Sequence, residues 1–425
     1  MLDLKRIRAE PEWALDGLSR RGLDGAEKLL EDVLALDRER RRAIGEADEL
    51  KARRNEVSRE IGEAKKRGED AKDRIREMRE VAERISLLDA RENDADAEIL
   101  ERLLLIPNVP LPEVPEGDEE ANEIVRTWGD LPSFDFTPVP HWELGESLGI
   151  LDLPRGATVS GSGFPLLRGM GAKYQRHLID FMIGLHVDDH EYEELRIPYL
   201  VTRETMTGTG QLPKFEEDSY VAERDDLWLI PTAEVPVTNL HRGELLSVSD
   251  LPIRYTAYSP CFRREAGAAG KDTRGLLRVH QFDKVELVRY ETPDRSREAL
   301  EELTGEAEKI LQLLGIPYRV VRLAAGDLGF ASALTYDLEV WAPGVGRWLE
   351  VSSCSTFTDF QARRANLRYR PAPGERPEFV HTLNGSALAL PRLLVALMEN
   401  YQDEEGGVRV PEPLRGKMGT DRLGS

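Results

Sequence analysis

Residues 255–286 read YTAYSPCFRREAGAAGKDTRGLLRVHQFDKVE, and the rest of the chain can be interpreted outward from them. Its first part is rich in β-prone residues as far as Phe262. A glycine-rich turn over 266–273 follows, and a second β-rich run extends over 276–290. The pattern predicts a long hairpin of two strands that are joined by a mobile, cationic loop.

The predicted hairpin carries side chains with the chemistry of a binding site. Arg263 and Glu265 are expected on the first strand. The second strand is expected to carry Arg278, Phe282 and Glu286, which share one face because they are four residues apart. A guanidinium, a flat aromatic ring and a carboxylate on one face suit a phosphate, a purine ring and an amine. A solvent-facing hairpin with ordinary cross-strand ion pairs explains the same residues equally well.

Length and charge restrict the classes of protein to which this chain can belong. A length of 425 residues allows about two to three domains with a substantial core. The net charge of -21 argues against indiscriminate binding to nucleic acid. Any contact with nucleic acid must therefore come from a locally basic element.

Cysteine usage and hydropathy indicate the compartment. Cys261 and Cys354 form no CxxC pair, which argues against a thiolate zinc cluster and a disulfide framework and suits a reducing cytoplasm. The chain shows no apolar signal segment and no stretch long enough to span a bilayer. We therefore expect a soluble cytoplasmic protein that has no membrane partner.

Residues 27–105 contain no proline and predict two long helices. The break between them falls at 65–70, where Gly68 offers a stop and Asp70 a new N-cap. Apolar residues recur at spacings of three and four and form one narrow stripe on each helix. The stripe residues are Leu30, Val33, Leu34, Ile44, Ala47, Val57 and Ile61, then Ile75, Met78, Val81, Ile85, Leu88, Ile99 and Leu103. Two such helices, each roughly 50–60 Å long, bury their stripes by folding back on one another as an antiparallel coiled coil.

The charge of this helical arm differs from that of the whole chain. Residues 38–84 hold 16 Lys and Arg against 13 Asp and Glu, and the basic surplus is greatest near the tip. One interpretation is a solvated coiled coil whose charges pair along its surface, and composition alone favours it. The other interpretation is an electrostatic arm that lies along a nucleic-acid backbone and recognises its shape rather than its bases.

A proline-rich and then acidic stretch divides the chain after residue 105. This composition is typical of an extended linker. We therefore predict an N-terminal helical domain over 1–105, a linker over 106–125 and a C-terminal domain over 126–425. The polar tail from Pro411 is predicted to be loosely ordered.

The first half of the C-terminal domain offers two further candidate segments. Residues 173–190 predict a helix, and residues 192–200 predict a strand with Pro198 near its middle, a position that belongs at a sheet edge or an interface. Residues 227–237 predict a short strand that turns into Thr-Ala-Glu. The threonine of this turn, Thr232, is either a helix cap or a ligand contact.

The second half of the domain offers a carboxylate and an arginine. Residues 347–357 predict a strand that carries Glu350 and two serines. Residues 380–399 predict a strand that passes into a helix at 384–386, with Arg392 in the first turns of that helix.

Together these segments resemble the class II aminoacyl-tRNA synthetases and, within that class, the bacterial-type seryl-tRNA synthetase family. The resemblance rests on the sequence FRRE at 262–265, on the helix before Pro198 and on the helix-borne Arg392. Ser386 and Ala387 replace two glycines that are usual in the class, and this departure is similar to the seryl type. The resemblance covers nearly the whole chain. It implies an α+β fold, with an N-terminal antiparallel two-helix coiled-coil arm and a class II catalytic domain whose antiparallel β-sheet is flanked by helices.

The resemblance also implies the residues of a site for ATP-dependent amino-acid activation. Those implied for ATP are Arg263, Arg264, Glu265, Arg278, Val279, Phe282, Glu350, Val351, Ser352, Ser353 and Arg392. Those implied for L-serine are Thr232, Ala233, Glu234, Arg263, Glu286, Asn384 and Ser386. Glu350 and Ser353 would hold Mg²⁺, a hard ion that takes oxygen ligands.

Catalysis in such a site consists of positioning and charge stabilisation, without a covalent enzyme intermediate. Arg263 is expected on the α-phosphate of ATP and Arg392 on its γ-phosphate, since a planar fork holds phosphate better than a lysine does. Phe282 is expected to stack on the adenine ring, with core packing as the alternative.

The implied partners are ATP, L-serine, tRNA(Ser), also tRNA(Sec), and a second copy of the chain. The arm of one subunit would reach the tRNA bound at the site of the other subunit. One rival hypothesis is an enzyme that loads an amino acid onto a carrier protein or metabolite, but such an enzyme is expected to lack the long arm. The other rival is a dimeric RNA-binding module with an inactive catalytic domain, which is expected to have lost charged residues of the site.

Overall fold

The computed structural model describes residues 1–266 and 274–424. Over these residues the chain divides into two compact units. The smaller unit comprises Leu2–Ser19 and Leu23–Pro107, and the larger comprises Met1, Arg20–Gly22 and Asn108–Ser425. The glycine-rich turn and its expected mobility fall on 267–273, outside the described residues.

The smaller unit is built from helices. In chain order they are α1 Leu4–Ala9, α2 Pro11–Arg20, α3 Ala26–Lys66 and α4 Lys72–Leu105. The two long predicted helices are therefore confirmed. Gly68 ends the first with a φ of +77°, a conformation that favours glycine. Asp70 accepts a hydrogen bond from the Lys72 backbone N–H at 3.0 Å, one residue ahead of the helix cap at Ala71.

Helices α3 and α4 pair in antiparallel orientation, as predicted. Ion pairs join the two helices. Residues with higher numbers on α3 pair with residues with lower numbers on α4, as antiparallel orientation requires. Three of these pairs are Glu39–Arg91, Glu46–Arg84 and Arg53–Glu77. Exposed pairs of this kind each contribute little to stability. The buried stripe between the helices, where Ala43, Ala47 and Leu88 form one apolar cluster, therefore holds the arm together.

A buried carboxylate lies near the start of α3. The Asp37 side chain receives hydrogen bonds from Arg8 Nε and Nη2, both at 2.7 Å, while Arg40 and Arg41 lie 3.4 and 3.2 Å away. Burial by itself would raise the pKa of Asp37. The Arg8 hydrogen bonds and the neighbouring guanidinium charges outweigh burial, and the pKa of Asp37 is lowered. The ionised carboxylate therefore ties α1 to α3.

The larger unit mixes helices with strands, which confirms the predicted α+β class. Its helices are α5 His141–Ser147, α6 Leu153–Ser160, α7 Met170–Asp188, α8 Arg203–Thr209, α9 Glu234–Thr238, α10 Ser296–Leu314, α11 Phe360–Ala365, α12 Leu390–Asn400 and α13 Glu412–Met418. Its first strands are β1 Glu123–Trp128, β2 Glu193–Glu194, β3 Leu200–Thr202, β4 Val221–Ala222, β5 Leu227–Leu229, β6 Leu245–Ser247, β7 Ile253–Phe262 and β8 Gln281–Glu291. Its later strands are β9 Tyr318–Arg322, β10 Leu334–Ala342, β11 Arg347–Thr358, β12 Arg368–Arg370, β13 Glu378–Phe379, β14 His381–Ala389, β15 Val408–Arg409 and β16 Arg422–Leu423.

Over 1–266 and 274–424, no helix combines the length and apolar character that a membrane span needs.

The main sheet follows the strand order β1-β9-β10-β11-β14-β8-β7-β2. Its neighbouring strands run antiparallel, apart from β2 beside β7. Helix α10 packs on β11 and β14 at the middle of this sheet. Gly385 of β14 permits the close approach, because a Cβ at that position would lie 2.3 Å from Leu303 Cδ2 of α10. The contact at Gly385 therefore sets the distance between α10 and the centre of the sheet.

The central hairpin is present but shorter than predicted. Strands β7 and β8 pair as far as Phe262 opposite Gln281. Arg263 and Glu265 therefore follow the first strand, and Arg278 precedes the second, so their predicted placement on the strands is wrong. Glu265 has a φ of +52°, which is outside the β region and ends the strand conformation before the loop.

Three other local predictions are corrected. The strand expected over 192–200 is reduced to β2 and the first residue of β3, since Pro198 has no N–H to donate to a ladder. Strand β14 continues to Ala389, so the turn into α12 comes later than the predicted 384–386. The tail after Pro411 is ordered, because α13 and β16 bury the apolar side chains that its polar composition concealed.

We expect Asp37→Asn to lower the free energy of unfolding of the helical unit by about 2 kcal/mol at pH 7, because a neutral amide leaves the Arg8 guanidinium without its charged partner. A lowered pKa means that the ionised carboxylate stabilises the folded state above the ordinary Asp pKa. This contribution is lost as the pH falls through the lowered value. Thermal unfolding followed by helical circular dichroism measures the difference, which should shrink below about pH 4.

Asp32→Asn is the matched control, because Asp32 lies exposed on the same helix. Its unfolding free energy should stay within about 0.5 kcal/mol of the natural chain. Equal stability of the Asp37→Asn variant and the natural chain at pH 7 would contradict the role given to the buried carboxylate.

Candidate active site

A cavity of about 530 Å³ opens where β8, β11 and β14 meet the segment after β7. Most of the residues predicted from the sequence line it. They are Thr232, Glu234, Arg263, Glu265, Arg278, Val279, Phe282, Glu350, Val351, Ser353, Asn384, Ser386 and Arg392. The other predicted residues, Ala233, Arg264, Glu286 and Ser352, lie outside this lining. Strand register thus brings together side chains that are up to 160 positions apart in the chain.

An arginine and an aromatic ring form one wall of the cavity. The Arg263 guanidinium carbon lies 5.2 Å from the centroid of the Phe282 ring, within range of a cation–π contact. The Arg263 backbone is held by His280, whose carbonyl accepts the Arg263 N–H at 2.9 Å. His280 therefore contributes a structural contact. The wall can receive a flat aromatic group beside an anion.

The next residues along the chain divide between the cavity and the protein surface. Glu265 lines the cavity and accepts a hydrogen bond from Arg278 Nη1 at 2.6 Å, so these two charges compensate each other. Arg264 turns away, because its side chain donates to the Glu217 carbonyl at 3.0 Å and its N–H to the Asp218 carbonyl at 2.9 Å. The Arg264 side chain therefore anchors the segment from outside the cavity.

The cavity lining carries a second arginine that is held by backbone carbonyls. Arg392 Nη1 donates to the Glu350 carbonyl at 2.9 Å and lies 3.3 Å from the Glu350 carboxylate. Arg392 Nε donates to the Leu277 carbonyl at 3.2 Å. These bonds fix the guanidinium at the cavity wall while 28% of the side chain stays exposed to a ligand.

Oxygen donors around Glu350 suit a hard cation. The Glu350 carboxylate is 45% exposed, and Ser353 lies two positions beyond Val351 on the same strand. Ser353 also hydrogen-bonds Asp337, whose Oδ1 is buried without a hydrogen-bond partner. Burial and then the charge of Glu350 raise the pKa of Asp337 well above its usual range. These oxygens fit Mg²⁺, which usually takes one or two protein ligands together with phosphate oxygens.

Within 1–266 and 274–424, no group of three or more His, Cys, Asp and Glu side chains could hold a metal ion.

The inner end of the cavity is built around a buried carboxylate. Glu286 has no exposed side-chain surface. Its Oε1 accepts from Asn384 Nδ2 at 3.0 Å, and its Oε2 accepts from the Thr232 hydroxyl at 3.2 Å. Both partners line the cavity, so Glu286 lies directly beneath the lining. This arrangement presents a small polar pocket with a carboxylate at its base.

Lys284 is a cavity residue that sequence reasoning missed. Its ammonium lies 2.5 Å from Glu286 Oε2, and its side chain is only 7% exposed. The signal was available, because Lys284 stands two positions from both Phe282 and Glu286 and must share their face of the strand. Its partner could not be inferred from the sequence, since neighbouring positions on one face are not obliged to touch.

Glu234 adds a second carboxylate at the same end. Its Oε1 accepts from Gln361 Nε2 at 2.6 Å, and Gln361 in turn accepts from the Thr382 hydroxyl at 2.7 Å. Burial and then the charge of Glu286 raise the pKa of Glu234 to about 7. Glu234 therefore exchanges its proton near neutral pH.

Two of the predicted residues act from below the cavity surface. Ala233 is fully buried at the start of α9. The Ser352 hydroxyl donates to the Ser386 carbonyl at 2.5 Å, which places Ser386 at the lining. Both residues support the pocket rather than face it.

Comparison with known protein families agrees with this arrangement. Residues 1–110 match the model of the seryl-tRNA synthetase N-terminal domain. Residues 214–401 match the model of the tRNA synthetase class II core domain (G, H, P, S and T), and this range includes every residue predicted for the site.

Full-length relatives and solved structures give the same result. The chain is 56% identical over 420 residues to the serine–tRNA ligase of Gemmatimonas aurantiaca, covering 99% of both chains, and 52% identical over 420 residues to that of Clostridium tetani, with 99% of each covered. The seryl-tRNA synthetase of Pyrococcus horikoshii complexed with ATP superposes with a TM-score of 0.95 at 39% identity, covering 100% of this chain and 99% of that one. The cytoplasmic serine–tRNA ligase of Naegleria fowleri in complex with AMP gives a TM-score of 0.89 at 32% identity, covering 100% and 98%. The resemblance inferred from the sequence is thereby confirmed, and the chain belongs to the seryl-tRNA synthetase family.

Proposed function

We propose that the chain activates L-serine with ATP to give seryl-adenylate and then transfers serine to the 3′ end of tRNA(Ser). The observation that carries this proposal is a single cavity that holds both carboxylates and guanidinium groups. Glu234 lies in its lining with Glu286 directly beneath, and Arg263 and Arg392 lie along its walls. An ammonium group suits the carboxylates, and phosphates suit the guanidinium groups. Family membership supports the same assignment.

In the first step the serine carboxylate attacks the α-phosphorus of ATP and pyrophosphate leaves. The attacking group is already an anion, so no general base is required. Arg263 would stabilise the negative charge that develops on the α-phosphate. Phe282 would stack on adenine beside that guanidinium, and Arg392 would bind the γ-phosphate. The contribution of the protein is positioning together with charge stabilisation.

Glu350 and Ser353 would hold Mg²⁺. When bound, this ion would supply neutralisation of phosphate charge. Arg392 lies 3.3 Å from the Glu350 carboxylate, so the guanidinium that would bind phosphate and the carboxylate that would hold the cation are neighbours.

Selection of serine would depend on polar groups at the inner end of the cavity. Glu286, Thr232 and Ser386 would bind the ammonium and the hydroxyl of serine, with Asn384 keeping the Glu286 carboxylate in place. Alanine would leave the groups that bind the serine hydroxyl without that contact, which is a strong basis for rejection. Threonine would be refused by the size of the pocket.

In the second step the 3′ hydroxyl of the terminal tRNA ribose attacks the adenylate and releases AMP. We propose that residues 1–105 form the domain with the tRNA-binding arm, 106–125 a linker and 126–425 the catalytic domain. The proposal includes a homodimer in which each arm serves the site of the other subunit, activity on tRNA(Sec) and a cytoplasmic location. The match of residues 1–110 to the family's N-terminal domain supports the role of the arm.

We expect ATP–pyrophosphate exchange, measured with each of the twenty amino acids and no tRNA, to proceed with serine alone. Arg263→Ala should lower the exchange rate by at least about 100-fold, because removal of a donor aimed at developing charge costs about that much. Arg242→Ala is the control and should exchange at the natural rate, since Arg242 is exposed and outside the cavity lining. Exchange with another amino acid, or none at all, would contradict the proposed substrate.

The pKa of about 7 for Glu234 predicts a pH dependence of serine binding. As the pH rises from about 6 to about 8, Glu234 loses its proton and gains the charge that attracts the serine ammonium, so the KM for serine should fall. Glu234→Gln should abolish this dependence. Glu223→Gln, which alters an exposed glutamate outside the cavity, should keep the natural profile. A serine KM that is constant over this range in the natural chain would exclude the role of Glu234.

Deletion of residues 38–84 should spare exchange and abolish charging of tRNA(Ser). The deleted residues belong to the smaller unit, whereas every residue of the cavity lining belongs to the larger one. Exchange and charging assays on one preparation separate the two steps. Charging at the natural rate after the deletion would reduce the arm to a structural role.

A further inference from the structure

A fully buried histidine–glutamate pair connects two elements behind the cavity. His141 is the first residue of α5, and Glu399 lies near the end of α12. Neither side chain has any exposed surface. Glu399 Oε1 accepts from both the His141 backbone N–H and His141 Nδ1, each at 2.9 Å. Neither residue was singled out in the sequence.

The hydrogen bonds assign the tautomer of His141. Glu399 Oε2 accepts from the backbone N–H groups of Gly344 and Val345 at 2.8 and 3.0 Å, so together with the His141 N–H three backbone donors point at the carboxylate. His141 Nε2 accepts from the Leu276 N–H at 3.0 Å, so Nε2 carries no proton. The ring proton therefore lies on Nδ1, which donates to Glu399 Oε1.

Residues 274–279, which precede β8, are called the return segment. In this tautomer His141 Nε2 accepts from the Leu276 N–H and so holds the return segment. The ring packs against Gly275, where a Cβ would lie 2.2 Å from His141 Nε2. The Arg274 guanidinium carbon lies 4.6 Å from the Trp142 ring centroid, next to His141 on α5. Three consecutive residues of the return segment thus contact the start of α5.

The return segment also forms part of the cavity lining, through Leu276, Leu277, Arg278 and Val279. Helix α12 contacts the return segment directly through Arg392 and indirectly through Glu399. Arg392 Nε bonds the Leu277 carbonyl at 3.2 Å, and Glu399 acts through His141 on the Leu276 N–H. Arg392 and Glu399 are seven residues apart, which is about two helical turns and places both on one side of α12.

We propose that His141, oriented by Glu399, is a positioning residue that sets the nucleotide-facing wall formed by the return segment. The inference rests on the proposed function only in naming ATP as the ligand of that wall. His141 touches neither the cavity nor the reacting atoms. It acts on ATP binding through the Leu276 N–H and leaves the amino-acid end unchanged.

Two amide substitutions separate the two hydrogen bonds of the ring. His141→Asn places an N–H donor near the Nδ1 position and nothing at the Nε2 position, so it keeps the bond to Glu399 and leaves the buried Leu276 N–H unpaired. We expect it to raise the KM and the Kd for ATP about tenfold, since an unpaired buried donor is costly. His141→Gln reaches the Nε2 position with its amide oxygen and should restore both values to within about twofold of the natural chain.

The measurements are exchange kinetics with varied ATP and varied serine, and calorimetric titration of ATP without serine. The serine KM should stay natural in both variants. His241→Asn is the matched control, because His241 also lies between a carboxylate, Glu244 at 2.8 Å, and a second partner, Tyr255 at 3.1 Å, but outside the cavity lining. It should leave both constants for ATP unchanged.

A natural ATP Kd in folded His141→Asn would overturn the proposal, as would an equal rise of the KM values for ATP and serine in both variants. If His141→Asn does not fold, a tenfold weaker ATP Kd in folded His141→Gln would overturn it as well. Absence of exchange in the natural chain would contradict the proposed function alone, because the calorimetric comparison tests the positioning role independently.

Discussion

The Glu286 carboxylate has no contact with solvent, and the need to compensate a buried charge governs the arrangement around it. Its partners come from three segments: Lys284 from its own strand, Asn384 from β14 and Thr232 from the turn before α9. A one-residue slip of β14 against β8 would send Asn384 to the other face of the sheet. The polarity of the inner pocket therefore depends on the register of the central strands.

The cavity joins two electrostatic environments within a short distance. At the inner end, burial and mutual repulsion of carboxylates raise the pKa of Glu234 into the neutral range. Elsewhere in the lining, Arg263 is held over Phe282, and Arg392 is held by the carbonyls of Leu277 and Glu350. A guanidinium that is fixed by backbone groups before a ligand arrives needs little reorganisation when the ligand binds. The geometry is suited to a zwitterion at one end and a polyanion at the other.

Helix α12 links these features to the rest of the fold. Its Arg392 lines the cavity, while its Glu399, at the far end, collects N–H groups from the start of α5 and from the turn between β10 and β11. The same principle operates in the helical unit, where the ionised Asp37 carboxylate collects the Arg8 guanidinium. In both units a buried carboxylate joins elements that are separate along the chain.

The sequence by itself determined the elements whose signals are local. Helical periodicity without proline predicted α3 and α4. β-rich runs around a glycine-rich turn predicted the β7–β8 hairpin. Both patterns can be detected from residues that are close together in the sequence. Most of the residues that the motif-level resemblance named line the cavity. Only the tertiary structure decided how far the strands extend, that Lys284 neutralises Glu286, that Glu234 is buried, and that His141 meets Glu399. The last two residues are 258 positions apart, and no local pattern records such a contact, since it depends on how sheet and helices pack together.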